Sequence, residues 1–270
     1  MIPINPGNIL KFSDDATWQR HNQAGQDRVP FGLRTPKDRC LPFQLFFDSG
    51  AGVVTWELID PADPTGGVNF PMDAGDLIIT NKDGGGFWVT HTGFVDLTNP
   101  VSCGFYEAWV TVDGTVYKSE VMHFTEDTTD TVFRIRFTNS KDKDNVLYTV
   151  FSYHQFFYTT RWAWDVPKID RESQIDVDGN GKKTTLFSRT VSRLRLEVSD
   201  VPDYAIEFFG SAVDLDSIQF EDAAGAISVV PMQNTTFDSR KQGVGLNIGI
   251  FEFDSVSEAF NGCQPDFVTA

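Results

Sequence analysis

The sequence predicts a mainly β protein: two antiparallel β-sandwich-like domains in tandem, preceded by an extended N-terminal arm, with one short helix in the second domain. Three observations point there. The 270 residues include 24 Phe, 22 Gly and 13 Pro, a balance that suits short strands and frequent turns rather than long helices. Apolar residues alternate with polar ones over short runs, which is the period of a strand with one buried face. The runs are separated by clusters rich in Gly, Asp and Asn, the residues that accept turn dihedrals. With 40% hydrophobic residues the chain can bury a real core, and its length fits one large or two medium domains.

Residues 1–39 are polar and irregular, with Pro3, Pro6, Pro30 and Pro36 spread through them. They predict an arm that becomes ordered by lying on the chain's own body or on a neighbour, with one short helical turn within "DDATWQRHNQAG". Residues 40–125 predict an immunoglobulin-like sandwich. In "PFQLFFD", Phe43, Leu45 and Phe47 fall on one side; in "VVTWELID", Val54, Trp56 and Leu58 do. "DLIIT" and "FWVTHT" flank the Gly-rich turn "NKDGGG". "GFYEAWVTVDGTVYKSEVMHF" predicts a hairpin: Tyr106, Ala108, Val110 and Val112 alternate, Asp113-Gly114 turns the chain, and Val116 to Phe124 returns. Asp-Gly suits a two-residue hairpin turn, whose central residues both need positive φ.

The acidic, Thr-rich stretch "TEDTTDT" (125–131) marks the predicted boundary, and 131–270 is the second, mainly β domain. There Phe133, Ile135 and Phe137 alternate with Arg134 and Arg136, and Leu194, Leu196 and Val198 alternate with Arg193, Arg195 and Glu197. In "VPDYAIEFFGSAVDLDSI" the period changes: Tyr204, Phe208 and Ala212 are spaced for one face of a helix that starts near Pro202. "ISVVPMQ" and "LNIGIFEFD" read as closing strands.

Net charge is −16 with a pI near 4.5. That balance argues against a nucleic-acid partner, which needs a basic footprint, and against an anionic membrane surface. No apolar run approaches the roughly 20 residues of a membrane span. The N-terminus "MIPINPGNILKFSDD" has no cationic stretch followed by an apolar one, so no secretory signal is expected. The three cysteines, Cys40, Cys103 and Cys263, are far apart and form no CxxC pair; one disulfide or free buried thiols are both open.

Candidate sites are few. "QIDVDGNGKKTT" places Asp176, Asp178 and Asn180 at alternate positions among glycines. A twelve-residue calcium loop from Asp176 would need a bidentate Glu where Phe187 stands, so the choice lies between a weak ion site and a solvated hairpin tip. His21, His91, His123 and His154 show no HxH or HxxxH spacing, although His91 and His123 could occupy neighbouring strands. GxSxG is absent, and Ser211 falls in the predicted helix. "KDGGGF" lacks the ending of a phosphate loop. Trp109, Trp162 and Trp164 are interaction candidates: exposed, they would stack on sugar rings; buried, they are core or interface anchors. No cofactor and no enzymatic activity are predicted.

"CGFYEAWVTVDGTVYKSEVMHF" (Cys103 to Phe124) resembles a pattern of tailed bacteriophages and prophages of Bacteroidetes-type hosts. Gly104, Phe105 and Tyr106 open a strand, Asp113-Gly114 turns it, and Tyr117, Ser119, Glu120 and Phe124 close the hairpin. "LPFQLFF" and "VVTWELID" look like earlier strands of that domain, and "YHQFFYTTRWAWDVPKIDRESQIDVDGNG" resembles the domain that follows it; the likeness spans about Leu41 to Ile218. The resemblance implies a structural protein of the virion, in the tail, neck or baseplate, with no catalytic residues. The expected partners are further copies of the chain and other virion proteins, and the expected location is the virion after synthesis in the host cytoplasm. A carbohydrate-binding or receptor-recognition module, with a glycan as partner, is the alternative.

Overall fold

Alternation of buried and exposed side chains organises most of the described residues into strands. The computed structural model describes residues 8–14, 33–37, 39, 41–48, 54–62, 70–71, 77–83, 85–92, 102–127, 132–143, 146–165, 168–222, 225–229, 235–243 and 246–259. The predicted helical turn in 14–25 falls almost wholly outside them.

The first half contains β1 (Phe12–Asp14), β2 (Leu33–Pro36), β3 (Phe43–Phe47), β4 (Val54–Ile59), β5 (Phe70–Pro71), β6 (Leu77–Asn81), β7 (Phe87–His91), β8 (Gly104–Val112), β9 (Thr115–Ser119) and β10 (Met122–Thr125). They make two sheets. One runs β1-β9-β8-β10-β2, with β4 on the other edge of β8 and β5 beyond β4; the other runs β3-β7-β6. Phe43 touches Phe12 and Trp56, and Phe47 touches Tyr117, so the two sheets face each other across an aromatic layer.

The β8–β9 hairpin matches the sequence expectation closely. Tyr106, Ala108, Val110 and Val112 are buried, and Asp113 (φ 49°) and Gly114 (φ 79°) form the turn. The return is two strands rather than one. Val110 pairs with Tyr117, but Tyr106 pairs with Met122, so one extra residue is accommodated around Glu120 and Val121. β3 also departs from simple alternation. All five of its residues are buried, because Phe46 packs with Trp88 and Leu147 on the face away from Phe43, Leu45 and Phe47.

β6 and β7 are joined through the predicted Gly-rich turn. Gly86 has φ +86°, and a Cβ there would lie 2.5 Å from the Phe47 carbonyl oxygen. Gly86→Ala is expected to cost about 2 kcal/mol, from left-handed strain plus that clash. Thermal unfolding of the variant checks this, with Gly85→Ala as the comparison: Gly85 shares the positive φ but has nothing within 4 Å of its Cβ position.

Of the two surfaces on which the N-terminal stretch was expected to lie, its described parts take the chain's own body. Asn8, Ile9 and Leu10 are fully buried, Phe12 is in the core, β1 pairs antiparallel with β9, and β2 pairs parallel with β10. The physical reason is that Ile9, Leu10, Phe12 and Leu33 are apolar enough to join the core, while Pro36 closes the four-residue β2.

The second half contains β11 (Phe133–Thr138), β12 (Gln155–Thr159), β13 (Trp162–Trp164), β14 (Lys168–Val177), β15 (Lys183–Pro202), α1 (Asp203–Ala212), β16 (Ser217–Asp222), β17 (Gly225–Val229), β18 (Thr236–Gly243) and β19 (Leu246–Ala259). One sheet is β12-β11-β16-β17; the other is β13-β15-β19-β18, with β14 also on β15. Phe133, Trp164, Phe220, Phe251 and Phe253 form the layer between them. The helix starts where the sequence predicts. Pro202 is its N-cap, Asp203 sits in the first turn where the dipole favours an anion, and Asn247 Nδ2 donates to Asp203 Oδ1 at 2.8 Å. Phe208 and Phe209 are buried against Phe137, Phe157, Phe237 and Phe251, so the helix closes one end of the space between the sheets.

Every described ladder joins strands on the same side of residues 126–132. Side chains and packing join the two halves instead. The core is continuous from Ile9 to Phe253, and a buried amide network crosses it. Gln44 Nε2 donates to the Leu147 carbonyl at 3.1 Å while Leu147 N–H donates to Gln44 Oε1 at 2.9 Å. Ile9 N–H donates to Gln155 Oε1 at 2.8 Å, and Asn8 bonds both main-chain groups of Gln44.

Candidate functional site

A cleft of about 350 Å³ opens where β2 and β10 meet the end of β12 and the β15–β19 ladder. Its walls are apolar at Leu33, Phe157, Pro202 and Leu246, and its charged groups are Arg34, Arg161 and Asp200, with His123 beside them. The lining therefore carries two guanidinium groups against one carboxylate. Asp127, just outside the lining, pairs with Arg34, so each guanidinium group has a carboxylate partner.

Each charged residue is held by a specific local device. Val198 pairs with Gly249 but Val201 pairs with Asn247, so β15 carries one extra residue opposite β19. Such a bulge re-aims side chains. Asp200 lies in it with φ 60°, a conformation that Asp tolerates better than most residues, and its N–H is taken by Gln242 Oε1 at 3.0 Å. Asp200 Oδ2 is thereby placed 3.2 Å from Arg161 Nη1. Arg161 lies two residues past the end of β12. Its N–H donates to Thr159 Oγ1 at 3.0 Å, and its carbonyl accepts the Ser199 N–H at 3.0 Å, so its backbone is tied to both walls.

Arg34 pairs with Asp127 through Nη2, while its Nε is buried without a hydrogen-bond partner. His123 sits opposite Arg34 in the β2–β10 register and stacks on Phe105 at 4.3 Å. Burial, and then the Arg34 charge, hold its pKa below the ordinary histidine value. The charged groups of the cleft are thus two ion pairs, Arg34 with Asp127 and Arg161 with Asp200.

The residues singled out by sequence are elsewhere. Asp178 is at the tip between β14 and β15, where Oδ1 accepts the N–H groups of Asn180 at 2.9 Å and Lys182 at 2.8 Å. That is the hairpin-tip geometry, with Gly181 at φ 81°. The Asp176 side chain lies outside the described residues, and among those described no group of three or more His, Cys, Asp or Glu side chains is gathered as metal ligands would be. Trp109 is half-buried; its Nε1–H donates to Glu107 Oε2 at 3.0 Å and Lys118 Nζ stands 4.2 Å over its ring. Trp162 stacks on Phe133 at 4.6 Å, and Trp164 meets Phe220 and Phe253 edge-on, so both half-buried rings lean into the layer between the sheets.

His91 and His123 do not share a sheet. His91 is in β7, fully buried against Phe43 and Trp56, with its pKa pushed down to about 3 by burial. His154 lies 2.6 Å from Arg136, and its pKa is lowered to about 4 by burial and by that charge. Cys103 is exposed rather than buried, and its thiol donates to Glu126 at 3.1 Å; Cys40, Cys263 and His21 lie outside the described residues.

Sequence reasoning missed Arg34, Arg161 and Asp200 because nothing local marks them. The one available signal was the polar break Thr159-Thr160-Arg161 between two aromatic strands, "FFY" and "WAW". Among the described residues no helix is long and apolar enough to cross a membrane. Comparison of the chain with protein-family models and with curated proteins gives no match.

Proposed function

We propose that the chain is a structural component of a bacteriophage virion, in the tail, neck or baseplate, working by symmetric self-assembly and docking onto other virion proteins. The assembly reading is carried by one observation: Ile175 and Val177, two positions apart on one face of β14, are 51% and 53% exposed at the end of a long hairpin. Elsewhere in the described chain Ile79 is the remaining large apolar residue at comparable exposure. The hairpin strengthens the reading. β14 is ten residues long and its one described ladder is with β15, and a strand edge of that length is either protected or used for pairing. A register shift at Gln174 and Ile175 bends the hairpin just before the tip. The virion context rests on the resemblance of Cys103–Phe124 and of the segment that ends in this hairpin tip.

The occupant expected on the tip is a second copy of the chain, since closed rings of identical subunits use one patch against another. Sedimentation velocity of the full chain over a concentration series tests this. The native chain is expected to sediment as an oligomer, and a variant carrying Ile175→Lys and Val177→Lys to dissociate about tenfold more readily or further. A native chain that stays monomeric at its highest soluble concentration overturns the reading.

A further inference from the structure

We propose that the β14–β15 hairpins of two copies pair edge to edge across a two-fold axis at Ile175, so that β14 of each continues the other's sheet. This rests on the assembly reading and names its contact. The first observation is the length of the edge. Among the described strands that close a sheet, β14 has ten residues and β18 eight, while the others have five at most. Long edges are usually interrupted, since an unpaired row of N–H and C=O groups invites a further strand. β18 is interrupted: Lys241 pairs with Asn247 and Gly243 with Leu246, so Gln242 is an inserted residue. β14 is not. Gln174 pairs with Phe187 and Ile175 with Thr185, so the inserted residue, Leu186, lies on β15, and no proline falls within β14.

The second observation is that the tip is short of strands. Pairing of β15 with β19 starts at Ser188, so among the described residues the stretch from Gln174 to Phe187 is a two-stranded ribbon. Such a ribbon is marginal in water on its own, and two tips joined at β14 make a four-stranded sheet. The third observation is the order of charges along β14. In an antiparallel two-fold pairing the axis stands perpendicular to the sheet. Each face then continues as the same face of the second copy, and the axis passes through a residue rather than between two. An axis through Asp170, Arg171 or Glu172 sets that residue against its own charge. An axis through Ser173 sets Asp170 opposite Asp176 of the second copy, and one through Gln174 sets Glu172 opposite it. Like charges directly opposite are destabilising. Among registers that overlap at least half of the ten-residue strand, an axis through Ile175 avoids them. It places Ile175 against Ile175, Ser173 against Val177 and Gln174 against Asp176, and so gathers the exposed Ile175 and Val177 of both copies on one face. Beyond the strand, the Asp178 carboxylate is engaged with the Asn180 and Lys182 N–H groups of its own turn.

The test uses mixed disulfides in the full chain, with Cys103→Ser in every variant because Cys103 is exposed. Ser173→Cys chains mixed with Val177→Cys chains are expected to cross-link through those two positions on mild oxidation, located by peptide mass mapping. The mixture is expected to give about tenfold more of this link than either variant gives of a link to itself. Sedimentation velocity supplies a second readout. Gln174→Lys, which sets a cation opposite Asp176 of the second copy, is expected to tighten the dimer about fivefold, and Gln174→Glu to loosen it about fivefold. If the native chain oligomerises but the mixed link is no more abundant than the self-links, this contact is overturned and the assembly reading stands. The same holds if Gln174→Lys and Gln174→Glu shift the dimer alike. A native chain that stays monomeric at its highest soluble concentration overturns both.

Discussion

Gln44→Leu is expected to lower the unfolding free energy by about 4 kcal/mol, from the loss of two buried hydrogen bonds at about 1–3 kcal/mol each once their partners are orphaned. The substitution keeps roughly the same volume and adds no charge, so packing is not the reason. Gln44 is fully buried, and its side-chain amide matches both main-chain groups of Leu147, donating to the carbonyl and accepting from the N–H, as a neighbouring strand would. Leu147 is itself buried, so water does not replace the lost partner. Equilibrium urea unfolding followed by tryptophan fluorescence measures the effect. Set against a typical total of about 5–15 kcal/mol, the loss is large. A change of less than about 1 kcal/mol would mean that the packed core, and not this amide, joins the halves.

Glu120→Gln is expected to stabilise the protein by about 3 kcal/mol at about pH 8, and to do little at about pH 4. Glu120 sits at the irregularity between β9 and β10, where its N–H donates to the Lys11 carbonyl at 2.9 Å. Burial, and then the neighbouring Glu107 carboxylate, push its pKa from 4.5 up to about 7. Lys11 does not offset this, since its own charge is disfavoured by burial and its coulombic partner is Glu207 on the helix. The sign follows from proton counting. Between pH 4.5 and about 7 the folded state holds a proton that the unfolded state has released, so stability falls as pH rises through that window and the penalty is complete above it. Gln has no proton to lose and removes the penalty.

His91 and His154 work in the opposite sense. Their folded pKa values of about 3 and about 4 lie below the ordinary 6.5, so stability is lost as pH falls through that interval. The native chain is therefore expected to be most stable on the mildly acidic side of neutrality, and Glu120→Gln to move the optimum upward. Thermal unfolding across pH checks both shifts; a variant with the native pH profile would show that the carboxyl is already ionised without cost.

What the sequence made legible was local. Alternation identified β8 and β11, Asp113-Gly114 identified a turn, and the change of period after Pro202 located the helix, because each signal is carried by neighbours in the chain. Pairing partners were not legible. Nothing in "NILKF" says that Asn8 will meet Gln44 or that Ile9 will meet Gln155, and the same gap hid the cleft, whose arginines come from β2 and from the end of β12. The aromatic run around Trp162 and Trp164 was legible as an anchor, but its direction was not, since strands with a Trp on either face have the same spacing. For β3 the one face shared by Phe43, Leu45 and Phe47 was legible and the burial of its second face was not, because that face is covered by Leu147, a residue far along the chain.

The bond from Ile9 to Gln155 spans 146 positions, and β2 runs alongside β10 rather than beside anything made soon after it. During synthesis Ile9 thus finds its hydrogen-bond partner only after 146 further residues have been made. Long-range closure of this kind slows folding, and at about 5–20 residues per second the nascent chain carries Ile9, Leu10 and Phe12 unsheltered for several seconds at least. The prolines that flank them cannot donate to a sheet, which discourages premature pairing with another nascent strand. The order in which this chain closes its core is therefore not the order in which it is made, since Ile9 waits for a partner 146 positions later.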